Sequence, residues 1–415
     1  MNSLINYEVE FPLGGSRDRP KLEPVYAAAR VLGLPLTLPK CIHIAGTVGK
    51  GSTAAMSQTL LSVHHRVLSF TSPHLVSPKE RVRLDGLDIP DDVWCEGMSA
   101  IREGTAASGT KLTYFETTFA FYLWCAKTLG STAHVVETGL GGSFDATNVL
   151  EETTAVMTRI DLDHTHILGK THTEIARDKS GIIKEHANCF CSEQSAEALI
   201  QIEMAATARR AKLLVEGREF CCTVGESGEH SYSGSRSVNG IVIPLRGDFQ
   251  RHNLAVSIAA VLSLDESLPD QSIRDALGRL KLQGRQQSLV SHPNIMIDVC
   301  HNPASFEELA SSLKRESRFA RRIALVAMMK DKDAKASLAH LRGIVDEVWV
   351  TTAPTPRTHS AESLLEFARQ EGIKARVVER SAAYKELLEL RTDTQAIVCG
   401  SFYLVGDFLS EYGNA

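Results

Sequence analysis

Short apolar runs alternate along this chain with longer stretches in which apolar side chains return at every third or fourth position. The first kind of segment predicts buried strands and the second helices, so their order predicts an α/β protein with mainly parallel sheets. A short apolar strand ends at Ala45, and a helical pattern covers residues 53–65. Residues 66–70 read as a second strand, a helix begins at Pro90-Asp91-Asp92, and residues 114–129 read as a helix with a strongly apolar face. Residues 134–137 make a buried strand ending in Glu137, and residues 154–160 another, ending in Asp161-Leu162-Asp163-His164. A helix over 171–184 opens with Thr171 and Glu174 in capping-box spacing. Between 220 and 245 the segments become short and polar, broken by Gly and Ser, which predicts an antiparallel subsheet. Helix returns over 248–264. Near Leu282-Gln283-Gly284-Arg285 the pattern restarts, with strands expected over 294–299, 322–328, 347–352, 374–379 and 396–400. Helices lie between them, for example over 305–317 and 361–371.

Polar chemistry collects where the predicted strands end, the edge at which open α/β sheets bind ligands. The densest case is Ile42-His43-Ile44-Ala45-Gly46-Thr47-Val48-Gly49-Lys50-Gly51-Ser52. A strand, a glycine-rich turn with a lysine and a helix start make a phosphate cradle: amides converge on the anion, Lys50 adds charge and the helix end adds its dipole. The spacing departs from the Walker form, because Ile44 stands at the first glycine and Gly51 at the hydroxyl after lysine. Glu137 ends an apolar strand, where a carboxylate is costly unless paired or metal-bound. With Ser72 and His164 at neighbouring strand ends, it suits a divalent cation bridging nucleotide phosphates, although histidine is an uncommon ligand for so hard an ion. The expected architecture is a P-loop-type, mainly parallel sheet domain with a small antiparallel subsheet over 1–284, and a smaller Rossmann-like α/β domain over 285–415.

Composition narrows the classes. At 415 residues the chain suits two domains, and 43% hydrophobic with 23% charged residues is ordinary for a globular enzyme. A formal net charge of −5 offers no basic footprint for nucleic acid or an anionic membrane. No apolar run has the length of a membrane span and residues 1–10 lack a leader pattern, so a cytoplasmic protein is expected. Nine cysteines without a C-x-x-C spacing read as free thiols of a reducing compartment. His164, His166 and His172 read as loop and helix-start histidines, since no cysteine or HExxH pattern accompanies them.

Taken in order, the motifs resemble the folylpolyglutamate synthase and dihydrofolate synthase family, a branch of the Mur ligases. The family's G-T-N-G-K-G-S loop matches residues 46–52, S-P-H-L matches 72–75, and Glu80-Arg81-Val82-Arg83 follows. An F-E helix start matches Thr113-Tyr114-Phe115-Glu116, E-x-G-L-G-G-x-x-D-A-T-N matches 137–148, D-H-x-x-x-L-G-x-T matches 163–171, and E-K-A-G-I matches 178–182. The Q-x-x-N, G-R, D-x-x-H-N-P, D-K-D and G-S signatures fall at Gln250 with Asn253, Gly284-Arg285, residues 298–303, residues 331–333 and Gly400-Ser401.

The resemblance implies an ATP-dependent ligase that phosphorylates a carboxylate and joins the acyl phosphate to the amine of L-glutamate. The acid would be dihydropteroate, with tetrahydrofolate as a further acceptor, and the cofactors ATP and two Mg²⁺ ions; a monomer is expected. Gly46, Thr47, Gly49, Lys50, Gly51 and Ser52 would hold phosphate, and Lys50, Lys179 and His301 would act in catalysis. Ser72, Glu137 and His164 would hold magnesium, joined by Lys179 if carbamylated. Gln250 and Asn253 could read an adenine edge, while Arg285 and Asp298 would complete the nucleotide site between two domains. Thr113, Phe115, Asp145 and Ala146 are the pterin candidates, and His301 and Ser401 those for the amino acid. Two departures stand out: Val48 replaces the loop asparagine, and Ser143-Phe144 replaces arginine and leucine before D-A-T-N. The same chemistry on another carboxylate, and a non-catalytic nucleotide- or folate-binding protein, remain open alternatives at this point.

Overall fold

Residues 22–316 and 318–413 are described by the computed structural model of this chain, so the reading of residues 1–10 lies outside it. The chain divides into two compact units, one of residues up to 73 with 78–244 and 250–281, the other of 74–77, 245–249 and 282 onward.

The first unit is built on β1 (Cys41–Ala45), β2 (Val67–Phe70), β3 (Val82–Leu84), β4 (Leu87–Asp88), β5 (Ala133–Glu137), β6 (Thr154–Met157), β7 (Asn188–Cys191) and β8 (Lys212–Val215). They form one sheet in the order β4-β3-β2-β5-β1-β6-β7-β8. Neighbours from β2 to β8 are parallel, and β3 and β4 add an antiparallel ribbon. A parallel sheet needs cover on both faces, and β1 and β5 are accordingly buried along their whole length. One core gathers Phe70, Phe119, Tyr122 and Val136; a second gathers Met157, Ile175, Ile182 and Cys189. The chain leaves β1 for β2 on one side and crosses β1 between β5 and β6, so β1 marks the change of direction where a ligand crevice forms. The expected subsheet is β9 (Cys221–Val224), β10 (His230–Ser233) and β11 (Ser237–Ile241), antiparallel throughout.

Helix starts follow local chemistry. The Tyr114–Thr128 helix opens with a full capping box between Thr113 and Glu116, and His172–Lys179 with another between Thr171 and Glu174. Thr113→Ala should cost about 1 kcal/mol, seen as a lower urea midpoint at unchanged slope.

Three of the boundaries that differ from expectation have a local cause. The helix expected over 53–65 is Lys50–Leu61, because left-handed Gly49 turns the chain directly into helix inside the loop. The strand expected to 160 ends at Met157, because the Arg159 carbonyl accepts the Thr47 and Val48 amides instead of a ladder partner. The helix expected to 184 gives way at Ser180 to a short 3-10 turn, where the Ser180 hydroxyl bonds back to Ala176 O.

The second unit carries β12 (Gln287–Ser288), β13 (Ile295–Ile297), β14 (Arg321–Val326), β15 (Glu347–Val350), β16 (Ala375–Val377) and β17 (Thr394–Cys399), ordered β12-β13-β17-β14-β15-β16. All pairs are parallel except the β12 edge. All nine cysteines are free thiols, and no described helix is long and apolar enough to cross a membrane.

Candidate active site

β1 delivers the glycine-rich loop, and two glycines let it close tightly. A Cβ on Gly46 (φ 154°) would lie 1.8 Å from Thr158 Oγ, and one on Gly49 (φ 93°) would lie 2.2 Å from Asn253 Oδ1. Gly49→Ala should therefore destabilise the unit by about 1–3 kcal/mol, checked by urea unfolding with and without nucleotide.

The amides of this loop divide into two sets. Those of Thr47 and Val48 donate to Arg159 O at 2.9 and 3.1 Å, while the Thr47 hydroxyl bridges the Asp161 carbonyl and amide, each at 3.0 Å. The first-turn amides from Lys50 through Ser52, by contrast, have no partner within their helix, the arrangement that suits an anion. This also accounts for Val48: the loop is pinned there through backbone, so no side-chain amide is required.

Gln250 and Asn253 lie elsewhere than expected. Both are buried against the back of the loop, with Asn253 Nδ2 donating to Gln250 Oε1 at 2.9 Å and Thr53 Oγ to Asn253 Oδ1 at 3.4 Å. Gln250 Nε2 reaches Ser52 Oγ at 3.5 Å. Their amides brace the loop and present no open edge to a base.

Lys179 is buried at the end of its helix, its Nζ donating to Gly46 O at 2.7 Å. Burial, helped by the positive charge of Lys50, pulls its pKa from 10.5 down to about 7, against the opposing pull of Asp163, Asp178 and Asp145. Two cationic side chains therefore share one loop, and one of them gives up its proton near neutrality.

Glu137 is buried at the end of β5 and accepts the Ser72 backbone N–H at 3.2 Å. Beside it the Thr138 hydroxyl is buried without a hydrogen-bond partner. His164 takes a left-handed conformation (φ 49°) at the start of a short helix, its N–H bonded to Asp163 Oδ1 at 2.8 Å. Of the expected metal residues the structure thus joins Ser72 to Glu137, with Lys179 on the loop carbonyl and His164 beside Asp163. Among the described residues no group of three or more His, Cys, Asp or Glu surrounds a metal position. The carboxylate and hydroxyl oxygens at these strand ends are the donor chemistry a hard divalent ion takes.

The pterin candidates are more structural than expected. Asp145 is buried and accepts Gly139 N, Leu140 N and Thr147 N at 2.9, 2.8 and 3.0 Å, and also the Thr147 hydroxyl. Burial pushes its carboxyl up, while those donors pull it back. Thr113 is spent as a helix cap, Ala146 is in the core, and the Phe115 ring packs against Phe70 at 5.5 Å. Asp145 and Ala146 thus hold the 137–148 segment from within, and the Phe115 ring lies against its Gly139.

In the second unit Asp298 is buried at the end of β13, accepting Gln286 N at 3.0 Å and Cys300 N at 2.7 Å. Burial raises its pKa and Arg285 opposes the rise. The Arg285 guanidinium and the His301 ring both lie against Phe402, at 5.7 and 5.6 Å from its centroid. His301 Nδ1 is 3.0 Å from the Val299 carbonyl, which fixes a proton on that nitrogen. Ser401 is buried and caps the Phe402–Tyr412 helix through Tyr403 N. Arg285, Asp298 and His301 therefore gather at one strand end, with Ser401 committed to the neighbouring cap.

The Mur ligase glutamate ligase domain family matches residues 278–402. The dihydrofolate synthase/folylpolyglutamate synthase of Escherichia coli K12 is 31% identical over 385 residues, 92% of this chain and 89% of the relative. This chain belongs to the dihydrofolate synthase/folylpolyglutamate synthase family. Among solved structures, E. coli FolC in complex with DHPP and ADP aligns with a TM-score of 0.88 at 29% identity, covering 97% of this chain and 95% of that one. The Yersinia pestis bifunctional folylpolyglutamate synthase/dihydrofolate synthase complexed with AMPPNP and Mn ion aligns at 0.85 and 29%, covering 96% and 95%.

Within this dihydrofolate synthase/folylpolyglutamate synthase framework, several contributors escaped the sequence reading. Arg159 enters through its carbonyl, which no side-chain pattern reports. Lys184 anchors Asn148 through both its carbonyl and its side chain, at 2.8 and 2.9 Å. Ser143, which the sequence did single out, donates to Asp178 O at 2.8 Å, a contact that fits a small hydroxyl. His43 had one visible signal, a polar residue inside the apolar run Cys41–Ala45.

Proposed function

We propose that this chain joins L-glutamate to dihydropteroate, and to tetrahydrofolate, in an ATP-dependent carbon–nitrogen ligation through an acyl phosphate. The observation that carries this reading is the phosphate loop, where an anion-seeking helix start and Lys50 stand beside a second, buried lysine, Lys179. Family membership supports the reaction class, and the relatives' bound ADP, AMPPNP and manganese support a nucleotide and a divalent ion as its cofactors.

The chain's own residues divide the work. The amides of Lys50, Gly51 and Ser52 hold phosphate oxygens, and the Lys50 ammonium offsets negative charge as the γ-phosphoryl passes to the substrate carboxylate. Ser72, Glu137 and His164 would hold a magnesium ion, and Lys179, once carbamylated, would hold a second; such ions would supply charge neutralisation at the phosphate oxygens. Lys179 suits that modification, since a lysine held near neutrality offers an uncharged amine to CO₂. His301 orients the incoming glutamate, and Arg285 and Asp298 the nucleotide, while the 137–148 wall shapes the seat of the acid. Attack of the glutamate amine on the acyl carbon then expels inorganic phosphate.

ADP formation should require both dihydropteroate and glutamate. ADP formed equally without either one, or no turnover with any pteroate or folate acceptor, would contradict the assignment. Ser143-Phe144, with Phe144 41% exposed, favours a second reading in which a different carboxylate metabolite is the acid. A panel of carboxylic acids in the same assay separates the two.

A further inference from the structure

His43 lies in the middle of β1, wholly buried between Ile42 and Ile44 and just upstream of the phosphate loop. Its Nε2 is 2.8 Å from Thr147 Oγ, and Thr147 Oγ bonds in turn to Asp145 Oδ1. The other oxygen of Asp145 accepts the Gly139 and Leu140 amides, just beyond Glu137. The direction of this chain of bonds follows from chemistry. Three backbone amides converge on Asp145, the setting of a carboxylate, which only accepts; the Thr147 hydroxyl therefore donates to it. Thr147 Oγ is left as the acceptor toward His43, and the imidazole proton must sit on Nε2.

The other ring nitrogen, Nδ1, is buried without a hydrogen-bond partner. An apolar side chain would avoid that cost and suit the neighbouring isoleucines, so packing alone gives histidine no advantage. What histidine adds is one directional bond across the sheet face. Burial, with the charge of Lys184, lowers its pKa to about 3, so the bond is made by a neutral ring at any working pH.

We propose that His43 is a positioning residue that ties the strand delivering the phosphate loop to the 139–148 turn, and so sets where the acid's carboxylate meets the γ-phosphoryl group. This rests on the reading of that turn as the wall of the acid site. The effect is geometric: a displaced turn seats the acid less productively, so its KM rises while the nucleotide's seat on the loop is kept.

The test compares His43→Leu, His43→Gln and Thr147→Val in the full-length chain. His43→Leu should raise KM for dihydropteroate about 10-fold, with KM for ATP changed less than about 2-fold. His43→Gln, whose amide N–H has similar reach, should recover most of that loss. Thr147→Val removes the same link from the other end, together with the bond to Asp145, so its loss should be at least that of His43→Leu, and the double variant should add little to it. Thr147→Val is nearly isosteric and carries the comparison if His43→Leu fails to fold. Nitrogen NMR of labelled wild type should show His43 neutral with its proton on Nε2. A glutamine variant no better than leucine, parallel rises in both KM values, additive losses, or a proton on Nδ1 would each overturn the proposal. A wild type that forms no ADP with dihydropteroate contradicts the functional reading instead, and the positioning role falls with it.

Discussion

Lys50→Ala is expected to lower kcat for ADP formation by about 10²–10³-fold while leaving the urea midpoint close to wild type. Lys50 is the first residue of the Lys50–Leu61 helix, so its ammonium and the first-turn amides act on one anion. The amides are fixed by backbone and survive the substitution. Nucleotide binding should therefore weaken less than turnover, because the mobile charge matters most as the phosphoryl group moves. Lys50→Arg should restore binding more fully than rate, since a planar fork replaces a compact charge. Equal losses in nucleotide affinity and kcat/KM, with kcat unchanged, would show that Lys50 merely binds the ground state.

Lys179→Ala should have an effect of similar size, about 10²–10³-fold in kcat, with an additional signature. If Lys179 works as a carbamate, the variant lacks an anion on a stalk, and a small carboxylate such as formate should restore part of the activity. If it works as an ammonium on the Gly46 carbonyl, methylamine should restore activity and formate should not. The pH dependence of stability gives a separate check. With its pKa lowered from 10.5 to about 7, Lys179 binds fewer protons folded than unfolded between those values. In CO₂-free buffer its contribution to stability therefore rises with pH across that window, and Lys179→Met should flatten the slope. An unchanged slope would place the lysine in a more solvated setting than its burial describes.

The phosphate loop and the strand-end carboxylate were legible in the sequence because both are local: glycine spacing, a lysine and a carboxylate closing an apolar run need no tertiary knowledge. The order of elements was legible for the same reason, since each strand and helix carries its own period. Orientation across the fold was not. Gln250 and Asn253 share the helix turn nearest the loop, but only packing shows their amides turned onto Ser52, Thr53 and each other. Asp145 and Thr113 carry polar groups that read as substrate contacts, yet backbone amides claim them. Arg159 and His43 act at long range in sequence, through a carbonyl in one case and a single cross-sheet bond in the other. The helix expected over 171–184 gives way at Ser180, and the next residue but one from its end, Gly181, lies against Ser143, where a Cβ would fall 2.1 Å from Ser143 Oγ, a closeness set 38 residues away.

The central claim is that this chain makes an acyl phosphate, and an isotope transfer tests it most directly. Dihydropteroate labelled with ¹⁸O in its carboxylate is turned over with ATP and glutamate, and the inorganic phosphate is analysed by mass spectrometry. Attack of the carboxylate on the γ-phosphorus, followed by amine attack on carbon, moves one labelled oxygen into each phosphate released. Phosphate carrying that oxygen is the expected result; unlabelled phosphate formed alongside the amide product would contradict the account.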